Sequence, residues 1–511
     1  MTAVHWGMPQ FLPRFGLRMA VLALLPATLA PGLNAQSSTR STNPADTMVT
    51  AAELSARRAA LAERIGDGVL VAFGGRNPVT DLGSFRQLPS FRYLTELNEP
   101  DHALVMVIRN RQAQSTLFLT ALDPRTAFYY GIRADSASAL KRFGIPGRSF
   151  SALTGVLDSL AGTGLPFYQV ADIEAMDFAR DDSLTRGQET MKALAARHPS
   201  LELRNGMPIL LEMRAKKSET ELALIRRAAE ISAEGHKAAM AVPNPGHEYD
   251  LRAALEYTFT RLGAERPSYG SIVGGGINGT TLHYMADMAP LGLSDLVVMD
   301  AGAEFRGYAA DITRTIPVSG SFTPEQRRIY QLVRDAQQAA EDASGPGLTL
   351  RGAADSSVAV RTRGLAKLGL IESEDATFDP PWRVNCNLSP ATCKQANLWM
   401  IHGITHGIGL EVHDPMQGSG RDATYKPGDV FTIEPGIYIS TRALSVLPDT
   451  PKNRAFIARV KSVVEQYENI GVRIEDNYII TNTGLERITT TVPRELDEVE
   501  AFMREQRSMR R

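Results

Sequence analysis

Only two cysteines occur in 511 residues. That excludes a disulfide-dense scaffold and, with no second Cys pair or His pair beside them, a thiolate zinc site. No excess of one charge is present either: 55 Lys and Arg stand against 57 Asp and Glu, a formal net charge of −2. A chain so balanced has no basic surplus to hold a phosphate backbone, and nucleic-acid binding is not expected. Long hydrophobic runs are missing. The apolar run from Met19 to Ala30 covers twelve residues and is interrupted by Pro26, short of the roughly 20 that a membrane span requires. No repeat at solenoid period is visible. What remains is a chain that is 43% hydrophobic and 22% charged, an ordinary globular mix at a length that suits about two to four domains.

The first residues do not read as part of a fold. Arg14 and Arg18 precede the apolar run, small residues follow it, and Leu33-Asn34-Ala35 offers a cleavage site. A basic flank, a short apolar core and a small-residue site describe a secretory signal peptide over 1–35, followed by a polar, flexible leader over 36–50. The chain is therefore expected to be exported, periplasmic or secreted. In that setting Cys386 and Cys393 can pair as a local disulfide, two free thiols being the alternative.

Over 51–204, helix-like and strand-like stretches alternate in an α/β pattern. Glu53 to Ile65 is amphipathic; Gly68 to Phe73 is a short apolar run ended by Gly74-Gly75. Residues 103–108 and 115–120 read as a strand pair around the polar turn Asn110-Arg111-Gln112. His102 and His198 stand alone and are expected to be locally bonded. Residues 205–217 change character and read as a linker. Ser218-Glu-Thr-Glu221 has capping-box spacing, so a helix starts there. Pro243-Asn-Pro-Gly246 stops it, and a second helix is expected from about Glu248 to Leu262. Strands are expected at 271–273, 281–284, 296–299, 311–316, 429–433 and 472–474, helices at about 324–343 and 351–369, and a charged tail over 496–511 that reads as a terminal helix fraying into Arg510-Arg511.

Gly274-Gly-Gly276-Ile-Asn-Gly279 fits the dinucleotide-binding glycine spacing. That fingerprint needs a helix to open after its last glycine, and the β-type run Thr280-Thr-Leu-His-Tyr284 follows instead. The glycines read as a tight loop beside a site. The informative set is a series of acids and histidines at apolar strand ends. Asp300 closes Leu296-Val-Val-Met299, and Asp311 opens the next strand after Gly302-Ala-Glu-Phe-Arg-Gly307; a hairpin with that turn sets the two carboxylates side by side. His402, His406 and His413 fall in one short stretch. Glu434 follows Phe431-Thr-Ile433 and precedes Pro435-Gly436, and Glu475 ends Val472-Arg473-Ile474. Singly, each could be a turn cap, a solvated strand end or a satisfied core histidine. Together they are costly to bury unless something positive lies between them. Four carboxylates and one imidazole form a hard, oxygen-rich site for two divalent cations, better suited to Mn²⁺ than to a thiolate-seeking ion. Two such ions can share a hydroxide and polarise a carbonyl, as in metal-assisted hydrolysis.

The ordered series Asp300, Asp311, His406, Glu434, Glu475 resembles the pita-bread metallopeptidases, the family of aminopeptidase P, prolidase and methionine aminopeptidase. The motifs that carry the resemblance are Asp300-Ala-Gly-Ala-Glu304, Tyr308-Ala-Ala-Asp-Ile-Thr-Arg-Thr315, Thr432-Ile-Glu-Pro-Gly436 and Gly471-Val-Arg-Ile-Glu-Asp476, and it covers roughly residues 50–490. It implies an α+β fold, a pita-bread catalytic domain over 218–495 preceded by a smaller creatinase/prolidase-like α/β domain over 51–204. Phe91-Arg-Tyr-Leu-Thr-Glu-Leu-Asn-Glu-Pro100 fits that smaller domain, with Glu96 where glycine is expected.

Carried over by motif, Asp300 would bind one metal, Asp311 would bridge both, His406 and Glu434 would bind the other, and Glu475 would be the second bridge. The ions would be Mn²⁺, with Zn²⁺ or Co²⁺ as alternatives. A bridging hydroxide would attack the scissile carbonyl, with Glu434 as candidate proton acceptor. His283 matches a histidine near the nucleophile or leaving nitrogen, and His413 one that bonds the substrate carbonyl or oxyanion. His402 and Arg473 match positions lining the proline side of the pocket. All five ligand positions are filled, which argues against the non-metal creatine hydrolases. The departure is 371–400, polar and containing both cysteines, which reads as an inserted loop beside the pocket. The implied activity is removal of the N-terminal residue from peptides with proline at the second position, by a homo-oligomer (dimer or tetramer). A dipeptide-only prolidase is the alternative, then a non-catalytic peptide-binding module, and last a structural envelope protein.

Overall fold

The computed structural model describes residues 48–77, 85–120, 123–170, 172, 185–418, 420 and 422–509. The expected signal peptide, and the leader as far as residue 47, lie outside them. No helix among the described residues is long and apolar enough to cross a membrane.

The N-terminal half is built on a six-stranded sheet. Its strands are β1 Gly68–Phe73, β2 Ala103–Arg109, β3 Gln112–Leu119, β4 Gly147–Ser149, β5 Phe167–Val170 and β6 Leu203–Asn205, in spatial order β4-β3-β2-β1-β5-β6. β1 is buried at every residue because both sheet faces are covered. Val69, Val71 and Phe73 pack with Leu153 and Leu157, while Leu70 and Ala72 pack with Leu61 and Ala62 of the helix Ala51–Ile65. This is why the strand reads as an unbroken apolar run rather than an alternating one. The β2–β3 hairpin turns at Asn110 and Arg111, with φ of 50° and 63°, the left-handed pair that a two-residue hairpin demands. His102 accepts the Thr120 N–H at 3.1 Å and His198 pairs with Asp158 at 2.9 Å, both local contacts as expected.

The helix Pro89–Thr95 ends at Glu96, whose φ is 57°. Glycine adopts that conformation without strain, whereas a side chain costs about 1–2 kcal/mol there. Glu96 thus keeps the turn that glycine would make. Its carboxylate gains little in return: Oε2 has no partner, and Arg92 Nε is 4.0 Å away.

The expected linker over 205–217 is largely a helix, Met207–Ala215, with Pro208 in its first turn and Leu210, Met213 and Arg214 buried. Its single-turn apolar pattern and the lack of a capping side chain hid it from the sequence. Beyond it, the helix Glu219–Met240 starts with a true capping box, in which Ser218 and Glu221 satisfy each other's backbone N–H. The helix Glu248–Arg261 follows.

The C-terminal half holds small antiparallel sheets. Its strands are β7 Arg266–Pro267, β8 Ile272–Gly275, β9 Leu296–Asp300, β10 Ala303–Phe305, β11 Tyr308–Ala309, β12 Thr313–Pro317, β13 Val430–Ile433, β14 Gly436–Ile439, β15 Ile470–Arg473, β16 Asp476–Ile480 and β17 Leu485–Arg487. They order as β12-β9-β8, β11-β10-β7, β13-β16-β17 and β14-β15. Helices Pro324–Asp342, Leu350–Leu368 and Pro451–Gln466 lie between them in the chain.

Two expectations are corrected here. Asp300 and Asp311 are not joined by a simple turn, because residues 303–309 form their own strand pair, β10 with β11, turning at Arg306 and Gly307 with φ of 51° and 84°. Residues 281–284 are not a strand. The chain folds back from β8 through a 3₁₀ turn at Gly276–Thr280, held by buried Glu248, which accepts from Gly275 N, Asn278 Nδ2, Tyr284 Oη and Ala289 N. Four hydrogen bonds to one carboxylate override a β-type composition. The charged tail forms the terminal helix expected of it, Leu496–Met509, which buries Leu496, Val499 and Met503. Cys386 and Cys393 are joined as a disulfide.

Replacing Glu96 by glycine removes the left-handed strain and one unpartnered carboxylate oxygen. We expect a gain of about 1 kcal/mol, read as a higher urea midpoint. An unchanged or lower midpoint would mean that the Arg92 contact outweighs the strain.

Candidate metal centre

Backbone pairing assembles the site. β12 runs antiparallel to β9 with Thr313 opposite Asp300, which brings Asp311, two residues earlier, to the end of the same ladder. Glu475 follows β15; its N–H donates to Thr313 O at 3.1 Å, and Thr313 Oγ1 donates to its Oε2 at 2.7 Å. Glu434 sits between β13 and β14, its N–H donating to Ile404 O at 2.8 Å. His406 is held against the same strand, because Thr432 N–H donates to its carbonyl at 2.9 Å and its own N–H donates to Thr432 Oγ1 at 3.2 Å. The four acids therefore converge from different strand ends, and the histidine from the loop laddered to β13.

Around His406 Nε2 lie Glu434 Oε1 at 3.4 Å, Asp311 Oδ2 at 3.5 Å and Glu475 Oε1 at 3.9 Å. Ligand atoms of Asp311, His406 and Glu475 all fall within 4.8 Å of one another, a spread that can hold a metal ion. Asp300 joins through Tyr269, whose hydroxyl donates to Asp300 Oδ1 at 2.5 Å and also contacts Asp311 Oδ1. All five sequence-derived ligand candidates are in one place.

The electrostatics are those of a site short of positive charge. Burial pushes the Glu475 carboxyl well above its ordinary range, reinforced by Asp311, Glu434 and Asp300. Burial also raises Glu434, to about 7, against the opposing charge of His406, and raises Asp300 against Arg473. Burial disfavours a charged His406, but its hydrogen bond to Asp311 and that carboxylate's charge prevail and lift it to about 9. The same contact, working against burial, holds Asp311 below the usual carboxylate range. Glu475 Oε1 is buried with no hydrogen-bond donor. A buried carboxylate oxygen without a donor is expensive, and an oxygen-rich cluster of this kind fits divalent cations.

The outer candidates form a wall around this centre. Arg473 is buried: its guanidinium reaches Asp300 Oδ2 at 2.5 Å, Tyr438 Oη at 2.6 Å and Thr313 Oγ1 at 3.1 Å. It orients a ligand, and no free donor of it faces outward. His402 shares Tyr438 Oη at 2.8 Å and lies 3.6 Å from Glu434 Oε2. Burial, with Arg473 and Arg361 nearby, depresses it to about 3, so it is neutral. Gly436 is required where it stands, since a Cβ there would press on Tyr438 Oη and His402 Nε2. His413 is exposed and edge-on to His406, centroids 4.2 Å apart. His283 is exposed as well, near both His402 and His413.

Tyr269, Thr313 and Tyr438 were not singled out in the sequence. Two of them carried a signal. Thr313 lies in the Asp311-Ile-Thr-Arg-Thr315 run, two residues from a ligand on the same strand face, and Tyr438 stands two residues beyond Gly436 on β14. Tyr269 had none.

Comparison with known proteins places the geometry. Residues 223–482 match metallopeptidase family M24, and residues 54–163 match the aminopeptidase P N-terminal domain. The chain is 33% identical over 461 residues to the Xaa-Pro aminopeptidase of Escherichia coli strain K12, covering 88% of this chain and 97% of that one. It is 34% identical over 422 residues to the Xaa-Pro aminopeptidase of Haemophilus influenzae, covering 82% and 88%. The fold is similar to aminopeptidase P from E. coli with the inhibitor Pro-Leu, at a TM-score of 0.74 and 31% identity over 90% of this chain and 99% of the other. Proline aminopeptidase P II from Yersinia pestis gives 0.74 at 33% identity over 89% and 100%. The pita-bread architecture with its additional N-terminal domain is thus established, and the chain belongs to metallopeptidase family M24.

Proposed function

We propose that this chain is a dinuclear-metal aminopeptidase that hydrolyses the bond between an N-terminal residue and a following proline. The observation that carries the reading is the convergence of four carboxylates and one imidazole on a point where Glu475 Oε1 lacks any donor. Its relatives named Xaa-Pro aminopeptidase are matched over nearly their whole length.

Asp300 would hold one ion, His406 and Glu434 the other, with Asp311 and Glu475 shared between them; the oxygen-rich donor set favours Mn²⁺. When bound, two such ions supply Lewis-acid charge and make water acidic enough to act near neutral pH. The chain's own groups do the rest. Glu434 would take a proton at a carboxylate oxygen and pass it on toward the leaving nitrogen. His413, exposed, would donate to the substrate carbonyl, and His283, exposed as well, would sit near the nucleophile or the leaving nitrogen. Neutral His402 lines the pocket next to Glu434, and Arg473 keeps Asp300 in position.

We further propose that the chain is exported by its first 35 residues, which the Cys386–Cys393 disulfide supports. A homo-oligomer is supported by Phe128 and Ile132, 92% and 95% exposed and four residues apart in the chain.

Metal-stripped protein is to be assayed on Gly-Pro and on an Xaa-Pro-Xaa tripeptide, with and without Mn²⁺. We expect Mn²⁺-dependent release of the first residue from the tripeptide, abolished by Asp311→Ala. Cleavage of the dipeptide alone would make it a prolidase, and cleavage of neither, with metal bound, would remove the proline-specific reading.

Removing the metal should also change the pH response. Without it, Glu434 and His406 keep protons up to about 7 and 9, above ordinary values of 4.5 and 6.5. Groups raised in the folded state stabilise it below their unfolded values, and that contribution is lost as pH rises through the folded ones. Chelator-treated protein should therefore lose thermal stability between about pH 5 and 9, and metal-loaded protein should lose much less. Parallel curves would mean that no cation balances these acids. N-terminal sequencing of exported protein should begin at Gln36; a retained Met1 would refute cleavage.

A further inference from the structure

A second cluster of buried charge lies beside the centre and has no part in holding metal. Arg214, 1% exposed, comes from the helix Met207–Ala215 between the two halves. Its Nη2 donates to Asp414 Oδ1 and to Glu411 Oε2 at 2.5 Å. Lys217 Nζ lies 2.9 Å from the other oxygen of Asp414 and donates to Pro415 O at 2.9 Å. Arg214 Nε and Nη1 have no hydrogen-bond partner. The guanidinium thus gives up two of its own bonds inside the protein to reach this carboxylate, a costly arrangement unless Asp414's position matters.

Asp414 is fixed from its other side as well. Its N–H donates to Gly407 O at 2.9 Å, and the two residues form a β-bridge. A Cβ on Gly409 would overlap the Asp414 carboxylate, and one on Gly407 would overlap its carbonyl. Only glycines let the ligand-bearing loop at His406 close on Asp414. The residue before Asp414 is His413, whose side chain is exposed while its backbone is held between these contacts. On its other flank Arg214 approaches Asp172 of the N-terminal half at 4.0 Å, and Asp172 accepts from Ser90 N and Oγ.

We propose that Asp414, clamped by Arg214 and Lys217, is a positioning residue that sets the imidazole of His413 over the centre. The inference rests on the reading of His413 as a substrate-facing donor. It assigns to the helix between the halves a function in catalysis, which the linker reading of 205–217 did not contain.

The test uses the full chain loaded with Mn²⁺ and an Xaa-Pro-Xaa tripeptide. Asp414→Asn and Lys217→Met are measured alone and combined with His413→Ala. A group that acts through His413 should lower kcat by about 10- to 100-fold, with KM within about twofold and bound metal unchanged. In the His413→Ala background the same changes should lose little more, and Lys217→Arg should keep most of the activity. Should Asp414→Asn not fold, Lys217→Met, which leaves Arg214 on the carboxylate, decides alone. Losses that simply multiply with His413→Ala, or loss of bound metal, would overturn the positioning role. Full kcat in His413→Ala alone would instead overturn the reading of His413, and this proposal would fall with it.

Discussion

Four carboxylates within a few Å of one another, out of water, are the constraint on which this molecule is organised. Mutual repulsion and lost hydration each oppose such a cluster, and in a low-dielectric interior both are large. Protein groups offset part of it: a protonated His406, the Arg473 guanidinium on Asp300 and the Tyr269 hydroxyl between Asp300 and Asp311. The uncompensated remainder is what makes the site a receptor for cations. The sheet arrangement serves this end, since antiparallel ladders let strand ends from distant parts of the chain meet with side chains already aimed.

The same economy of charge governs the join between the halves. Arg57 reaches Glu53, Glu221 and the Tyr93 carbonyl, and Ser218 donates to Glu53, so the first helix and the helix Glu219–Met240 share one network. Arg92 forms a two-pronged pair with Glu265 at 2.9 Å on each arm. Buried pairs of this sort add little net stability compared with apolar packing, but a misdocked half would leave them unpaired. They specify one orientation, and with it the place of Arg214.

The acids were legible in the sequence because each stands at the edge of an apolar strand, where a charge is conspicuous, and His406 because it shares one short stretch with His402 and His413. Hydroxyls were not. Threonine and tyrosine are ordinary strand residues, so Thr313 and Tyr438 showed only as neighbours of the motifs, and Tyr269 not at all, until their partners came into view. The helix Met207–Ala215 was missed for want of a cap and a sustained period. The strand expected at 281–284 failed for a different reason: its composition was right, but Glu248, more than thirty residues earlier in the chain, fixes a tight turn instead. Contacts remote in sequence cannot be read from a local window. The capping box at Ser218 and the β1 core run, which depend on neighbours alone, were read correctly.

The contact between Thr313 and Glu475 spans 162 residues of chain. Ligands so far apart come together only after most of the polypeptide has been released and has condensed, so no shorter segment offers the full set to an ion. Under the proposed export, the choice of metal would therefore fall to the fluid in which folding finishes, not to the compartment of synthesis.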